Sequence, residues 1–133
     1  MTIVKNEVVL ECEIEKVWDI VTSLENQAWR TSIDHIEIID AHHFIEVDKE
    51  GYKTEFIILN KVKNKLYEFN LKNENIEGHW IGKFKSIDDQ LTSIEIVESI
   101  EVKKKMMSLF AKKYLEKQQK QYINDLKNAL IHQ

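Results

Sequence analysis

The stretch VVLECEIEKVWDIV, Val8–Val21, decides the fold. Its first part continues an alternation that sets Val4, Val8 and Leu10 on one face and Lys5, Glu7 and Glu11 on the other. That is the pattern of a strand half exposed to water, over residues 2–12. From about Glu15 to Thr22 the period changes, and Val17, Trp18, Ile20 and Val21 recur at helical spacing. Ser23-Leu24-Glu25-Asn26 then restarts a second short helix toward Trp29.

Six strand-like runs follow. They are Ile33–Asp40, His43–Asp48, Tyr52–Asn60, Leu66–Lys72, Glu77–Ile87 and Leu91–Val102. Asp48-Lys49-Glu50-Gly51, Asn73-Glu74-Asn75 and Asp88-Asp89-Gln90 are turn-forming clusters between them. Short polar turns imply antiparallel neighbours, because parallel pairing needs a long crossover. From about Met106 to Ile131 the pattern is helical again. Met107, Phe110, Ala111, Tyr114, Leu115, Gln118, Tyr122, Leu126 and Ala129 fall on one broad stripe. At about 1.5 Å per residue such a helix crosses a whole small domain. Its stripe is expected to lie against the concave face of a twisted sheet.

The expectation is an α+β chain: a seven-stranded curved antiparallel sheet gripping a long C-terminal helix, with two short helices after the first strand. At 133 residues, without proline, and with only Gly51, Gly78 and Gly82 as glycines, residues 1–133 read as one domain. Apolar residues at 43% and charged residues at 32% exclude a disordered chain. No apolar run approaches the roughly 20 residues of a transmembrane segment. The N-terminus MTIVKNEVV lacks a basic segment followed by an apolar one, so no secretory signal is expected. Cys12, the single cysteine, reads as a small apolar filler, and a reducing cytoplasm is the expected compartment.

Net charge is −4, unevenly spread. From Lys103 onward eight lysines face Glu116 and Asp125, a net +6, while residues 1–102 carry eleven basic and twenty-one acidic residues, a net −10. The acidic body disfavours nucleic acid. The basic helix either docks on an anionic surface or simply solvates its outer face.

The order of elements resembles the SRPBCC superfamily, the helix-grip fold of START lipid-binding domains, the birch-pollen allergen, and bacterial polyketide cyclase/dehydrase and lipid-transport proteins. The residues that carry the resemblance are Leu10 and Cys12 closing the first strand, then Glu15-Lys16-Val17-Trp18-Asp19-Ile20-Val21. Leu24-Glu25-Asn26 and Trp29 follow, then Gly78-His79-Trp80, Gly82, Phe84 and Thr92. One departure is Cys12-Glu13-Ile14-Glu15, where family members commonly carry a small residue and a proline. The resemblance implies a fold and a cavity between sheet and helix. It carries over no catalytic residue.

Alternation assigns side chains to that hollow. Thr54, Phe56 and Ile58 face inward, as do Tyr67, Phe69 and Leu71, and Trp80, Gly82, Phe84 and Ser86. Phe110 and Tyr114 meet them from the helix. Thr54, Phe56, Tyr67, Phe69, Trp80, Phe84, Glu98, Phe110 and Tyr114 are therefore the candidate ligand-binding set. Either they line a pocket for a flat or apolar ligand, or the aromatic members fill a solid core. The resemblance favours a pocket, and the chain's length a small one. Glu98 shares a face with Thr92, Ile94, Ile96, Ile100 and Val102. A carboxylate there must be paired, hydrogen-bonded or protonated, so Glu98 is the candidate acid or base, unless it sits in a bulge or at the rim. Asp34, on the Ile36/Ile38 face, is a weaker candidate of the same kind.

His35, His42, His43, His79 and His132 show no metal-ligand spacing, and adjacent His42 and His43 point to opposite faces of a strand. No metal and no cofactor is expected. Phosphate-cradling loops and a Gly-x-Ser-x-Gly elbow are absent from the sequence. The first functional expectation is binding of a small hydrophobic ligand: a lipid, an isoprenoid or a polyketide-like aromatic. The second is a cyclase/dehydratase-type enzyme using a buried acid. The third is a co-chaperone-like or ribosome-associated interaction module that uses the basic helix. A homodimer is compatible with all three.

Overall fold

The computed structural model describes residues 1–131, so His132 lies outside the described residues. The chain runs β1 (Thr2–Leu10), α1 (Ile14–Thr22), β2 (Ile33–Asp40), β3 (His43–Asp48), β4 (Lys53–Val62), β5 (Leu66–Lys72), β6 (Ile76–Asp88), β7 (Leu91–Val102), a single 3₁₀ turn (Lys105–Met107) and α2 (Ser108–Ile131). All seven strands form one antiparallel sheet in the order β1-β7-β6-β5-β4-β3-β2. Neighbours from β2 to β7 are joined by short turns. β1 and β2 are the two edges, so the segment between them must cross from one edge to the other.

That crossing is made by α1 and the irregular residues after it. Val17, Trp18, Ile20 and Val21 bury one side of α1, with Val17 fully enclosed. Trp18 sets its ring edge-on to Phe84, with centroids 4.9 Å apart, and to Tyr67 at 6.2 Å. Fully buried Thr92, at the start of β7, donates its hydroxyl to the Cys12 carbonyl at 2.8 Å and fixes where the chain leaves β1. Half-buried Cys12 packs against the same core.

The second short helix does not form: residues 23–32 are bends and turns. Ser23 Oγ accepts the Asn26 N–H, and Gln27 Nε2 donates to the Ser23 carbonyl. These side-chain bonds offer the backbone partners that compete with helix formation. Elsewhere the turns follow their residues. Asp48 Oδ1 accepts the N–H groups of Glu50 and Tyr52, and Gly51 takes a φ of +85° that suits glycine alone.

α2, about 36 Å long at 1.5 Å per residue, lies over the sheet. Its contact line is Ala111, Leu115 and Gln119, then Tyr122, Asp125, Leu126 and Ala129. Phe110 and Met107, expected on that stripe, turn out to water instead. Ala111 is the residue that meets Val4 and Ile100, and its small side chain lets the backbone come close. Phe110, one position earlier, is rotated about 100° around the axis and cannot share that contact. Buried Gln119 accepts from Asn6 Nδ2 at 2.5 Å and donates to the Val4 carbonyl at 3.2 Å, so the helix also satisfies edge strand β1.

The far end of α2 is pinned by Leu126, which is fully buried, and by Asp125. The Asp125 carboxylate accepts the Thr31 N–H at 2.9 Å, the Thr31 hydroxyl at 2.9 Å, and Gln121 Nε2 at 2.9 Å. Asp125→Ala leaves that N–H and hydroxyl without their acceptor. Urea unfolding is expected to show a loss of about 1–3 kcal/mol, with Asp125→Asn losing less.

Candidate functional site

Cross-strand register lays a row of side chains over the concave face. Phe69 is opposite Trp80, Trp80 opposite Glu98, and Glu98 opposite Val4. A neighbouring row runs Phe44, Phe56, Leu71, Gly78 and Ile100. Phe69 and Trp80 stack with centroids 4.9 Å apart and planes 3° from parallel, as do Phe44 and Phe56 at 4.9 Å and 1°. The Trp80 indole lies over Gly82, where a Cβ would come within 2.6 Å of its ring. Glycine at 82 is what lets this indole fold flat along the strand.

Between these rows and α2 is a cavity of about 160 Å³. Phe56, Phe69, Leu71, Trp80, Ile96 and Ile100 form its apolar floor, and Leu115 comes down from the helix. The polar groups around it are Thr54, Asn73, Glu46 and Glu98 from the sheet, Arg30 from the crossing segment, and Tyr114, Gln118, Gln119 and Tyr122 from α2. The lining is therefore amphipathic.

Of the expected set, Thr54, Phe56, Phe69, Trp80 and Glu98 line this cavity, and Tyr114 stands at its rim, 56% exposed. Three residues do not. Tyr67 and Phe84 face the right way but are sealed in the core against Trp18. They lie under α1, whereas the cavity lies under α2. Phe110 is 69% exposed for the reason of helical rotation given above. Ser86, on the same face of β6, is beyond the core and donates to the Asp88 carbonyl at 3.1 Å. Asp34 is exposed on an edge strand and paired with His35 at 2.8 Å, so it is no buried acid. Among the described residues no three His, Cys, Asp or Glu side chains are placed to hold a metal ion.

Arg30 and Glu46 are additional charged groups in the lining. Arg30 Nη1 meets Glu46 Oε2 at 3.1 Å, and both side chains are 15% exposed. The guanidinium lies 5.0 Å from the Tyr122 ring centroid and 5.9 Å from that of Trp29. Burial works against its charge, but Glu46, Tyr122 and Asp125 outweigh it and raise its pKa. Glu46 was hard to read because both faces of HFIEVD carry apolar residues. Arg30 lies in a segment with no periodicity at all.

Burial pushes the Glu98 carboxyl up to about 7, against the lowering effect of the nearby Gln119 amide. Glu46 raises it further and Arg30 lowers it. Burial also pushes the Tyr67 hydroxyl up to about 12, and it raises that of Tyr122. Around neutral pH the site thus holds a fixed Arg30–Glu46 pair, neutral phenols, and one acid poised to gain or lose a proton.

No family model matches the chain, and no curated protein matches it in sequence. Solved structures do match in shape. A START superfamily protein from Mycobacterium smegmatis aligns with a TM-score of 0.87 at 14% identity, over 99% of each chain. A conserved protein from Geobacillus kaustophilus gives 0.84 at 11% identity, over 96% of this chain and 94% of that one. The di-domain ARO/CYC BexL from the BE-7585A biosynthetic pathway gives 0.79 at 7% identity, over 96% of this chain and 46% of that one. The chain has the START-like helix-grip fold to which its sequence pointed.

The raised Glu98 value has a consequence for stability. Between its ordinary 4.5 and about 7 the folded chain keeps a proton that the unfolded chain releases. Stability must therefore fall as pH rises through that window and level off above it. Urea midpoints measured across the window should decline less in Glu98→Gln than in the unaltered protein. Parallel profiles would place Glu98 in water.

Proposed function

We propose that the chain binds a small amphipathic aromatic or lipid-like molecule in the cavity between the sheet and α2. The observation that carries this reading is a space with a stacked Phe69–Trp80 floor and with Arg30, Glu46 and Glu98 in its lining. Apolar walls supply the burial, and the few charged and hydroxyl groups set orientation. Size narrows the choice. A dry cavity of about 150 Å³ accepts benzene, while drug-sized ligands fill about 300–1,000 Å³. The space of about 160 Å³ suits a single ring or the end of a longer chain. A whole lipid or polyketide-like guest would need the rim at Tyr114 and Gln118 to move outward. We place the chain, as one domain, in a reducing cytoplasm, in keeping with its lone thiol.

A second reading is favoured by Glu98 alone. A carboxyl that titrates near neutrality beside a bound ring could pass a proton to or from it, as an enzyme of the cyclase/dehydratase type requires. The aromatase/cyclase fold neighbour is in keeping with this reading without assigning a substrate.

Titrating phenol and decanoate into labelled protein, followed by NMR, tests both. Phenol should shift the amide signals of Thr54, Phe69, Trp80 and Glu98, with decanoate also shifting Tyr114 and Gln118. Glu98→Gln should keep phenol binding within about tenfold if the residue only orients or transfers a proton, since one hydrogen bond contributes a net of about 0.5–1.5 kcal/mol. No shift at those residues with either compound, or shifts scattered over the convex face, would remove the cavity from the account.

A further inference from the structure

We propose that the start of α2, together with the lysines just before it, is a docking surface for an anionic lipid bilayer. Met106, Leu109 and Phe110 are 85%, 84% and 69% exposed, and Met107 and Tyr114 beside them are exposed as well. Single exposed apolar residues are ordinary, but here five occur within nine positions. Met106 lies in the 3₁₀ turn and Leu109 and Phe110 in the first turn of α2, so all three sit at the same end of the helix.

Along the chain the neighbouring charge is of one sign. Lys103, Lys104, Lys105, Lys112 and Lys113 are all exposed, and no carboxylate occurs between Glu101 and Glu116. The remainder of the chain is strongly acidic, so this positive zone is local. Apolar tips flanked along the chain by lysines match a surface that offers acyl chains beneath negative headgroups. The patch lies at the N-terminal end of α2. A second copy is disfavoured as occupant, because its own lysines would be brought against Lys103–Lys105. Among the described residues no helix is long and apolar enough to cross a membrane, so the contact is with the surface alone.

Tyr114 belongs both to this patch and to the rim of the cavity. Docking would hold the rim at the headgroup level, where an amphipathic guest could pass between bilayer and protein. The docking itself does not depend on the cavity being occupied.

Co-sedimentation of the full chain with vesicles tests the proposal. Vesicles of equal parts phosphatidylglycerol and phosphatidylcholine should bind at least about tenfold more tightly than phosphatidylcholine alone, and added salt should weaken the binding. Lys103→Glu with Lys104→Glu and Lys105→Glu, and separately Leu109→Ser with Phe110→Ser, should each reduce binding by about tenfold or more. The altered positions are exposed, so circular dichroism should be unchanged. Failure to sediment with the anionic vesicles, equal binding to both compositions, or unaltered binding by either variant would overturn the proposal. So would a dimer in sedimentation velocity that the Leu109/Phe110 variant splits, since the patch would then belong to a second copy.

Discussion

A straight rod laid over a curved bowl touches it in two places, and this constraint organises the molecule. α2 rests at one end on Ala111 and Leu115 against Val4 and Ile100. At the other it rests on Leu126, with Tyr122, Ile123, Ala129 and Leu130 joining the main core. Between the two supports the sheet curves away, and the cavity lies there. Shortening either support would let the helix drop into the bowl. The Asp125–Thr31 bonds resist this by tying α2 to the segment that crosses from β1 to β2.

A buried ion pair such as Arg30–Glu46 is commonly no more stabilising than well-packed apolar side chains of the same volume. Glu98 opposes stability wherever its proton must be lost. Polar groups held at such cost beside a stacked aromatic floor are what the proposed binding of an amphipathic guest draws on. Arg30 is held by the Glu46 carboxylate and by the Tyr122 and Trp29 rings, so its orientation is set by the fold itself.

Much of the fold was legible because strands and polar turns alternate cleanly. The bounds of β2, β3, β5 and β7 coincide with the runs read from the sequence. Face was legible as well, since Thr54, Phe56, Phe69, Trp80 and Glu98 all point inward. Depth was not. Alternation places Tyr67 and Phe84 on the concave side but cannot say that Trp18 will cover them. Ala111 was outweighed by Phe110 on hydrophobicity, although a helix close to a sheet edge needs the smaller residue at the contact. Ser23 and Gln27 take the place of the second helix with side-chain bonds that helical periodicity does not register. Arg30 entered the site from an irregular segment, where no repeating pattern exists to assign a side chain.

Crystallography under xenon pressure tests the central claim most directly, because xenon enters apolar cavities large enough for it without needing a chemical match. The account predicts one internal xenon atom bounded by Phe56, Phe69 and Trp80 below and Leu115 above. An interior that takes up no xenon, with α2 seated directly on the Phe69–Trp80 pair, would contradict it.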